Sequence, residues 1–310
     1  MERENYPKNF EEFSDRFQNE EDCSQYIVQF RWPDGFICPR CQGSKIWKTS
    51  RNLLHCSCCG HQASITAGTV FQNTRKPLRL WFHVMWWIVS QKSGTSAKYL
   101  KDSMGFGSYK TAWAWLHKIR RVMIRPYRDR LHGTVEVDET YIGSEEKGNR
   151  GRKIVKKSLV VVAVEEVEGR LGRVRFRCIS DASEKSLLPF IKDNIEAGSV
   201  VITDGWKGYS SVREIGYSHL VRNISESDNE AVDLLPNVHL IVALLKRWLL
   251  GTYQGAVSSD HLQYYLDEYA FRFNRRLSTH RGKLFYRLMQ LAVTTEAIPL
   301  KNIFAKKHKV

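Results

Sequence analysis

Residues 38–59 read CPRCQGSKIWKTSRNLLHCSCC, and this stretch decides how the front of the chain folds. It contains two C-x2-C pairs, and fourteen residues separate one pair from the other. Two such pairs are typical of a zinc ribbon, in which four thiolates hold one tetrahedral Zn²⁺. A segment of about 40 residues buries too little apolar surface to fold alone, so the metal would supply the missing stability. The spacing predicts a ribbon over residues 38–74. The predicted ligands are Cys38, Cys41, Cys56 and Cys59.

The other cysteines are interpreted differently. Cys58 competes with Cys59 for the fourth ligand position, and the x2 spacing favours Cys59. Cys23 and Cys178 have no partner at ligand spacing, so we expect both to be buried thiols. Free or disulfide-bonded cysteines are the alternative to a metal site. Seven cysteines, four of them in metal spacing, favour a reducing cytosol over a disulfide framework.

The composition indicates a polyanionic partner. The 310 residues carry a formal net charge of +15, and nucleic acid is the usual polyanion that such a surplus attracts. A basic protein without such a partner is the alternative. The first twenty-two residues are polar and rich in acids, so no signal peptide is expected. No apolar run approaches the length of a membrane span, so we expect a cytoplasmic protein without a membrane partner.

Residues 75–130 are expected to form helices. A largely apolar run over 78–91 predicts the first, Thr95 or Ser96 can cap a second, and Ser108 begins a third with basic outer faces. A helix, a glycine-bearing turn and a basic amphipathic helix are the outline of a helix-turn-helix. A plain helical bundle is the alternative. The predicted DNA-binding side chains are Lys110, Lys118, Arg120 and Arg121.

The hydrophobic pattern changes to a period of two after residue 133. Residues 134–142, 159–165 and 173–179 are predicted to be three consecutive antiparallel strands. Ser186 then caps a predicted helix, and residues 199–203 form a fourth strand. The order β-β-β-α-β predicts a mixed sheet with a helix against it.

Two aspartates on these strands could carry chemistry. Asp138 lies within the first strand, and Asp204 follows the fourth. An acidic residue within an apolar strand is costly unless a metal or a partner compensates it. Two carboxylates on neighbouring strands could share Mg²⁺ ions, which phosphoryl transfer on nucleic acid requires. An outward-facing strand residue is the alternative for Asp138.

The remaining segments are assigned more briefly. Residues 1–37 are a lead-in with a short helix, and residues 143–157 are a charged, basic hairpin loop. Apolar helices are predicted over 237–250 and 264–276, and residues 291–310 form a basic tail. Trp206 and Tyr209, beside Asp204, either stack on a splayed base or cap the edge of the sheet.

Six segments together resemble bacterial insertion-sequence transposases of the DDE type with an N-terminal zinc ribbon, and the resemblance covers nearly the whole chain. The segments are RWPDGFICPRC (31–41), SITAGTVF (64–71), VEVDETYIG (135–143), TDGWKGY (203–209), VHLIVALLKRWLLGTYQG (238–255) and YLDEYAFRFNRR (265–276).

The resemblance implies an α/β fold with an RNase H-like mixed-sheet catalytic domain, here over 131–290, after the ribbon and the helix-turn-helix-like segment. It implies Mg²⁺ or Mn²⁺ as catalytic ion, and Asp138 and Asp204 as its ligands. Lys246 matches a lysine that the family carries two positions after its third catalytic residue. The implied partners are the terminal inverted repeats and a double-stranded target DNA, bound by a homodimer or higher oligomer at the bacterial nucleoid.

One position departs from the family's pattern. The third catalytic residue is expected at position 244 as Asn or Glu, and this chain has Leu244, which offers a metal no lone pair. Asp267, Glu268 or His239 could replace it, although imidazole suits softer metals than Mg²⁺. The alternative function is a catalytically weakened, DNA-binding descendant that acts as a repressor or inhibitor. A zinc-ribbon RNA-binding or transcription factor would explain the front of the chain alone.

Overall fold

A computed structural model describes residues 5–125, 128–143, 157–222, 234–255 and 257–304. The chain divides into two compact units. The first takes the described residues within 1–125 and 277–306, and the second takes those within 126–276. Most of the hairpin loop predicted over 143–157, and the end of the basic tail, lie outside the described residues.

The first unit begins with two helices and a small sheet. Helices α1 (Phe10–Arg16) and α2 (Glu20–Arg31) replace the single short helix expected in the lead-in. Asn9 and Asn19 cap them, because each side chain accepts a hydrogen bond from a first-turn amide. Three antiparallel strands follow in the order β1-β2-β3. The strands are β1 (Ile46–Lys48), β2 (Leu53–Cys56) and β3 (Gln62–Ser64).

Three helices then follow as the sequence predicts: α3 (Leu78–Ser90), α4 (Ala97–Met104) and α5 (Tyr109–Val122). Ser96 and Ser108 cap the last two through their side chains. Gly105 ends α4 with a φ of 66°, a left-handed conformation that favours glycine. The α4–turn–α5 arrangement therefore has the predicted helix-turn-helix-like outline.

The C-terminal helices belong to this first unit, which corrects the predicted domain boundary at residue 290. Helix α9 (Arg281–Thr294) buries Phe285 completely, and that ring packs against Phe17 and Phe82. Burial of this apolar face stabilises α9 against α2 and α3. The predicted basic tail is likewise partly helical, because α10 covers Leu300–Phe304.

The second unit is a five-stranded mixed sheet with helices on both faces. The strand order is β6-β5-β4-β7-β8. Strands β4, β5 and β6 are antiparallel neighbours, as predicted, whereas β4, β7 and β8 are parallel. This is the mixed α/β arrangement of the expected RNase H-like core. The strands are β4 (Thr134–Ile142), β5 (Ser158–Val167), β6 (Arg170–Ile179), β7 (Val200–Thr203) and β8 (Ser218–Val221).

The helices of this unit are α6 (Glu184–Asn194), α7 (Pro236–Tyr253) and α8 (Leu262–Phe273). Short 3-10 helices cover Lys207–Ile215 and Ser259–His261. Helix α6 begins three residues earlier than predicted, with Ser183 as its N-cap. Ser186 is therefore inside the helix, and its hydroxyl donates to the Asp181 carboxylate at 2.9 Å.

Strand alternation divides β4 between two cores. Val135 and Val137 are fully buried in the core that contains α6. Glu136, Asp138 and Thr140 alternate with them and therefore face α7. No described helix is both long and apolar enough to cross a membrane.

Candidate functional site

The four predicted thiol ligands converge in the ribbon. The sulfur of Cys38 lies 3.7 Å from that of Cys59, and the sulfur of Cys41 lies 3.6 Å from that of Cys56. All four sulfurs lie within 4.8 Å of one another. Tetrahedral Zn²⁺ with bonds of about 2.3 Å places its sulfurs about 3.8 Å apart, whereas a disulfide is about 2.05 Å long. The cluster fits structural zinc, and no other described group of three or more potential ligands converges as tightly.

Tight turns aim these thiols at one point. The amide of Gln42 donates to the Cys38 carbonyl, and the amide of Gly60 donates to the Cys56 carbonyl, each at 3.0 Å. A Cβ on Gly43 would lie 2.8 Å from the Cys58 sulfur, so this turn needs glycine. Cys58 is exposed and lies outside the converging set. The structure therefore groups Cys59 with the other three ligands.

Asp138 and Asp204 lie at the same level of the sheet. Strand β4 runs parallel to β7, with Glu136 opposite Ile202. Asp138 is two residues beyond Glu136, and Asp204 is two residues beyond Ile202. The shared register therefore places both aspartates together where β7 ends.

The environment of Asp138 disfavours its negative charge. Burial raises the pKa of Asp138, and the charge of Asp204 raises it further. The Glu139 amide, 2.7 Å from Oδ1, and the His239 ring, with Nε2 3.5 Å from Oδ2, act in the opposite direction. The raised pKa shows that negative charge at this point is only partly compensated. A divalent cation would supply that compensation.

Glu136 fixes the start of α7 against the sheet. Its carboxylate accepts hydrogen bonds from the Val238 amide at 2.9 Å and from the Asn237 side chain at 3.0 Å. The side chain is 1% exposed, and burial raises the pKa of Glu136. A carboxylate at the first turn satisfies amides that lack helical partners and complements the positive end of the helix. This bond sets which side of α7 faces β4.

The helical period decides which residues of α7 face Asp138. His239 and Lys246 are seven residues apart, so they lie on nearly the same side of the helix. Lys246 Nζ donates to Thr140 Oγ1 at 3.2 Å, two residues along β4 from Asp138. Leu244 lies about 140° around the helix from His239 at 100° per residue, and it packs against the apolar core. The structure therefore presents His239, rather than Leu244, to Asp138.

The other possible replacements for the third ligand are engaged elsewhere. Glu268 is 2% exposed and binds Arg272 at 2.7 Å, and the Tyr253 hydroxyl donates to it at 3.1 Å. Asp267 accepts a hydrogen bond from the Gln263 side chain at 2.8 Å. By contrast, Nδ1 of His239 is buried and makes no hydrogen bond to any described residue. His239 is thus the member of the three that the structure brings to the aspartates.

A cavity of about 730 Å³ lies beside Lys246 in the second unit. Tyr141, Lys157 and Lys246 are among the residues that line it. Burial lowers the pKa of Lys246, and the charge of Lys157 lowers it further. Two lysines this close favour an anion between or beside them. The sequence singled out Lys246 but gave no sign of Lys157.

Two hydrogen bonds made by Trp206 hold Asp204 and the segment after it in place. Oδ1 of Asp204 accepts a hydrogen bond from the Trp206 amide at 3.0 Å, and the Trp206 indole donates to the Ala182 carbonyl at 2.7 Å. A Cβ on Gly208 would lie 2.5 Å from that carbonyl, so the segment needs glycine there. Tyr209 is fully buried, and its hydroxyl donates to Glu139 at 2.8 Å. Tyr209 therefore packs under the sheet edge and is not free to stack on a base.

The predicted DNA-binding side chains have different surroundings. Lys110 is exposed, and its ammonium lies 4.6 Å from the ring centre of Phe304. Lys118 is half-buried, which lowers its pKa, and Arg121 is partly exposed. Arg120 is a correction: it is 1% exposed and lies 3.3 Å from His117 Nε2, so it faces the core of the helices. The basic pattern alone could not separate this arginine from its neighbours.

Comparisons with known proteins agree with this architecture. Residues 18–62 match the transposase zinc-ribbon domain, and residues 130–274 match the ISXO2-like transposase domain. An uncharacterized protein in the transposable element ISH50 of Halobacterium salinarum is 26% identical, and the match covers 86% of this chain and 94% of that protein. A chain in a pre-cleavage Mos1 transpososome structure is 11% identical with a TM-score of 0.27, over 67% of this chain and 77% of that one. The Mos1 likeness is too slight to support a conclusion.

The two domain matches define the class as a transposase with a zinc ribbon ahead of its transposase domain. The chain belongs with the insertion-sequence transposases of the DDE type that carry an N-terminal zinc ribbon. The matched ribbon begins at residue 18 and therefore includes α2, which lies ahead of the predicted boundary at residue 38.

Proposed function

We propose that this transposase cleaves DNA at the terminal inverted repeats of its element and joins the ends to a target DNA. Asp138, Asp204 and His239 would form the metal-binding set. The observation that carries the proposal is the contact between His239 Nε2 and Asp138 Oδ2 at 3.5 Å, on the strand register that brings Asp204 alongside. Two carboxylates and an imidazole suit Mn²⁺ or Mg²⁺, and the imidazole favours Mn²⁺.

Each residue would have a defined task. A divalent cation held here would supply activation of the attacking oxygen and stabilisation of the leaving oxygen of a phosphodiester. Asp138 and Asp204 would hold it through carboxylate oxygens, and His239 would donate Nε2. Lys246, fixed by Thr140, would hold a phosphate of the bound strand beside the carboxylates. Tyr209 and Glu139 would keep the strand end rigid beneath Asp138.

The partners follow from this activity. The first unit would bind double-stranded DNA at the terminal repeats, with Lys110, Lys118 and Arg121 among its contacts. Two subunits would hold the two ends, so a homodimer or higher oligomer would form on DNA. The protein would act on chromosomal DNA in the cytoplasm, at the nucleoid.

The experiment is a strand-transfer assay with the terminal repeats that flank the gene, in Mg²⁺ and in Mn²⁺. Wild type should transfer strands better in Mn²⁺, and Asp138→Asn should be inactive while it still binds DNA. Leu244→Asn should not raise the activity. An inactive wild type that Leu244→Asn activates would instead support the DNA-binding repressor or inhibitor.

A further inference from the structure

A basic groove of about 580 Å³ lies entirely within the first unit, whereas the two aspartates belong to the second unit. Three segments form it: residues 72–76, one side of α5, and residues 297–300. Four of its lining side chains are cationic, and none of its lining residues, all of them in described ranges, is acidic. The cationic side chains are Arg75, Lys76, Lys110 and Lys118.

Lys118 lies on the inner wall of this groove. Thr111, Ala114 and Lys118 are spaced as neighbours on one side of α5, and all three line the groove. Lys118 is half-buried, and that burial lowers its pKa. No described carboxylate forms a salt bridge with Lys118 among the ion pairs of the first unit. A partly buried ammonium without a counter-charge is costly, so the site favours an anionic ligand.

The other walls are held in place before any ligand arrives. Trp81 stacks on Trp115 at 3.6 Å, and the Trp81 indole donates to Thr74 Oγ1 at 2.9 Å. The same Thr74 oxygen accepts a hydrogen bond from the Lys76 amide at 3.3 Å. The loop that carries Arg75 and Lys76 is therefore anchored to the tryptophan pair.

The C-terminal segment closes the opposite wall. Phe304 stacks on Trp113 of α5, with ring centres 5.1 Å apart and planes at 17°. The ammonium of Lys110 lies 4.6 Å from the centre of the same Phe304 ring. These contacts hold α10, and with it Pro299 and Leu300, beside the helix-turn-helix-like pair. Residues 297–300 are thus part of the groove.

We propose that this groove binds a stretch of the sugar–phosphate backbone of duplex DNA, with Lys76 and Lys118 as its main phosphate contacts. The proposal rests on the proposed DNA transposase function. The volume of the groove lies within the range of about 300–1,000 Å³ that is usual for ligand sites. A single phosphate would not fill it. Backbone contacts position a protein on DNA without reading its sequence. The groove would therefore contribute affinity equally to any duplex.

The test measures binding of the full zinc-loaded chain to a labelled terminal-repeat duplex and to a scrambled duplex, across a salt series. Each lost phosphate contact should reduce the slope of log K against log[salt] by about 0.9. We expect Lys76→Ala and Lys118→Met each to show this reduction on both duplexes. Lys8→Ala removes an equal, exposed charge from the same unit and should leave the slope unchanged.

If a variant that carries both Lys76→Ala and Lys118→Met keeps the wild-type salt slope, the proposal is overturned. Lys118→Met keeps the apolar stem of the side chain. If this variant nevertheless fails to fold, the variant Arg75→Ala with Lys76→Ala replaces it, because it changes only exposed loop residues. Calorimetry with inorganic phosphate adds a second arm. Phosphate binding that Lys118→Met abolishes, without any change in DNA affinity, would mean a free-phosphate site and would also overturn it. The salt slope is measured without Mg²⁺ or Mn²⁺ and therefore without catalysis, so failure of the proposed catalysis remains distinguishable.

Discussion

The Nε2 atom of His239 on α7 lies 3.5 Å from Oδ2 of Asp138 on β4, a residue 101 positions earlier in the chain. The pairing depends on the Glu136 contact to the Val238 amide, which aligns α7 with β4. It gives the second unit a carboxylate–carboxylate–imidazole set at the end of its parallel strands.

His239→Ala should reduce strand transfer by about 10²-fold or more, the usual loss when one transition-state contact is removed. It should also weaken Mn²⁺ binding, measured by titration followed with electron paramagnetic resonance. Leu244→Asn is the matched change on the same helix. It should leave Mn²⁺ affinity intact and lower the free energy of unfolding by about 1–3 kcal/mol, because it puts an amide among apolar side chains. Equal Mn²⁺ affinity in wild type and His239→Ala would contradict the assignment.

Metal affinity should rise as the pH rises through the raised pKa of Asp138. Burial and the Asp204 charge raise that pKa, and a cation binds the ionised carboxylate. Without metal, the folded state binds this proton more tightly than the unfolded state. Folding stability should therefore fall as pH rises from the ordinary pKa to the raised one. Carboxyl NMR titration of Asp138 measures the pKa, and Asp204→Asn should lower it. An unchanged pKa in that variant would contradict the coupling.

Cys59→Ser should lose the bound zinc and unfold the ribbon, because the metal supplies most of the stability of so small a segment. Cys58→Ser is the control one position away, and it should keep zinc at the wild-type level because Cys58 is exposed and outside the converging set. Metal analysis of the purified variants and limited proteolysis near Arg51 measure the two effects. If Cys58→Ser lost zinc and Cys59→Ser kept it, Cys58 would be the fourth ligand in place of Cys59.

The chain should lose stability in acid through Glu165. Burial by itself raises the pKa of Glu165, but hydrogen bonds from Arg173 and the His132 amide outweigh it and lower the pKa to about 2. A lowered pKa stabilises the fold above the ordinary value of 4.5, and that contribution is lost as pH falls from 4.5 towards 2. The loss should be roughly 2–3 kcal/mol. Denaturant unfolding of wild type and Glu165→Gln across this range measures it, and equal pH slopes would contradict the prediction.

Local patterns predicted the elements better than they predicted which elements pack together. The cysteine spacing identified the ribbon, and the order of the predicted strands placed Asp138 and Asp204 on neighbouring strands. The four residues of β8 are too short to show a period, so that strand was missed. No helix was predicted over the residues of α9, whose apolar face is buried in the core of the first unit. The sequence offered His239 only as one of three alternatives to Leu244, because an offset along the chain does not show which side of a helix meets the sheet.

Glu136→Ala should weaken the site without touching it. It leaves the Val238 amide buried without its acceptor, which costs about 1–3 kcal/mol of folding free energy. It also frees the first turn of α7, so His239 should lose its alignment with Asp138. Mn²⁺ affinity should therefore fall, and kcat should drop with little change in the KM for DNA. Glu136→Gln keeps one acceptor oxygen and removes a negative charge that burial disfavours, as the raised pKa of Glu136 indicates. It should therefore retain stability and Mn²⁺ binding. A Glu136→Ala variant that loses stability but binds Mn²⁺ like wild type would show that the helix start does not position His239.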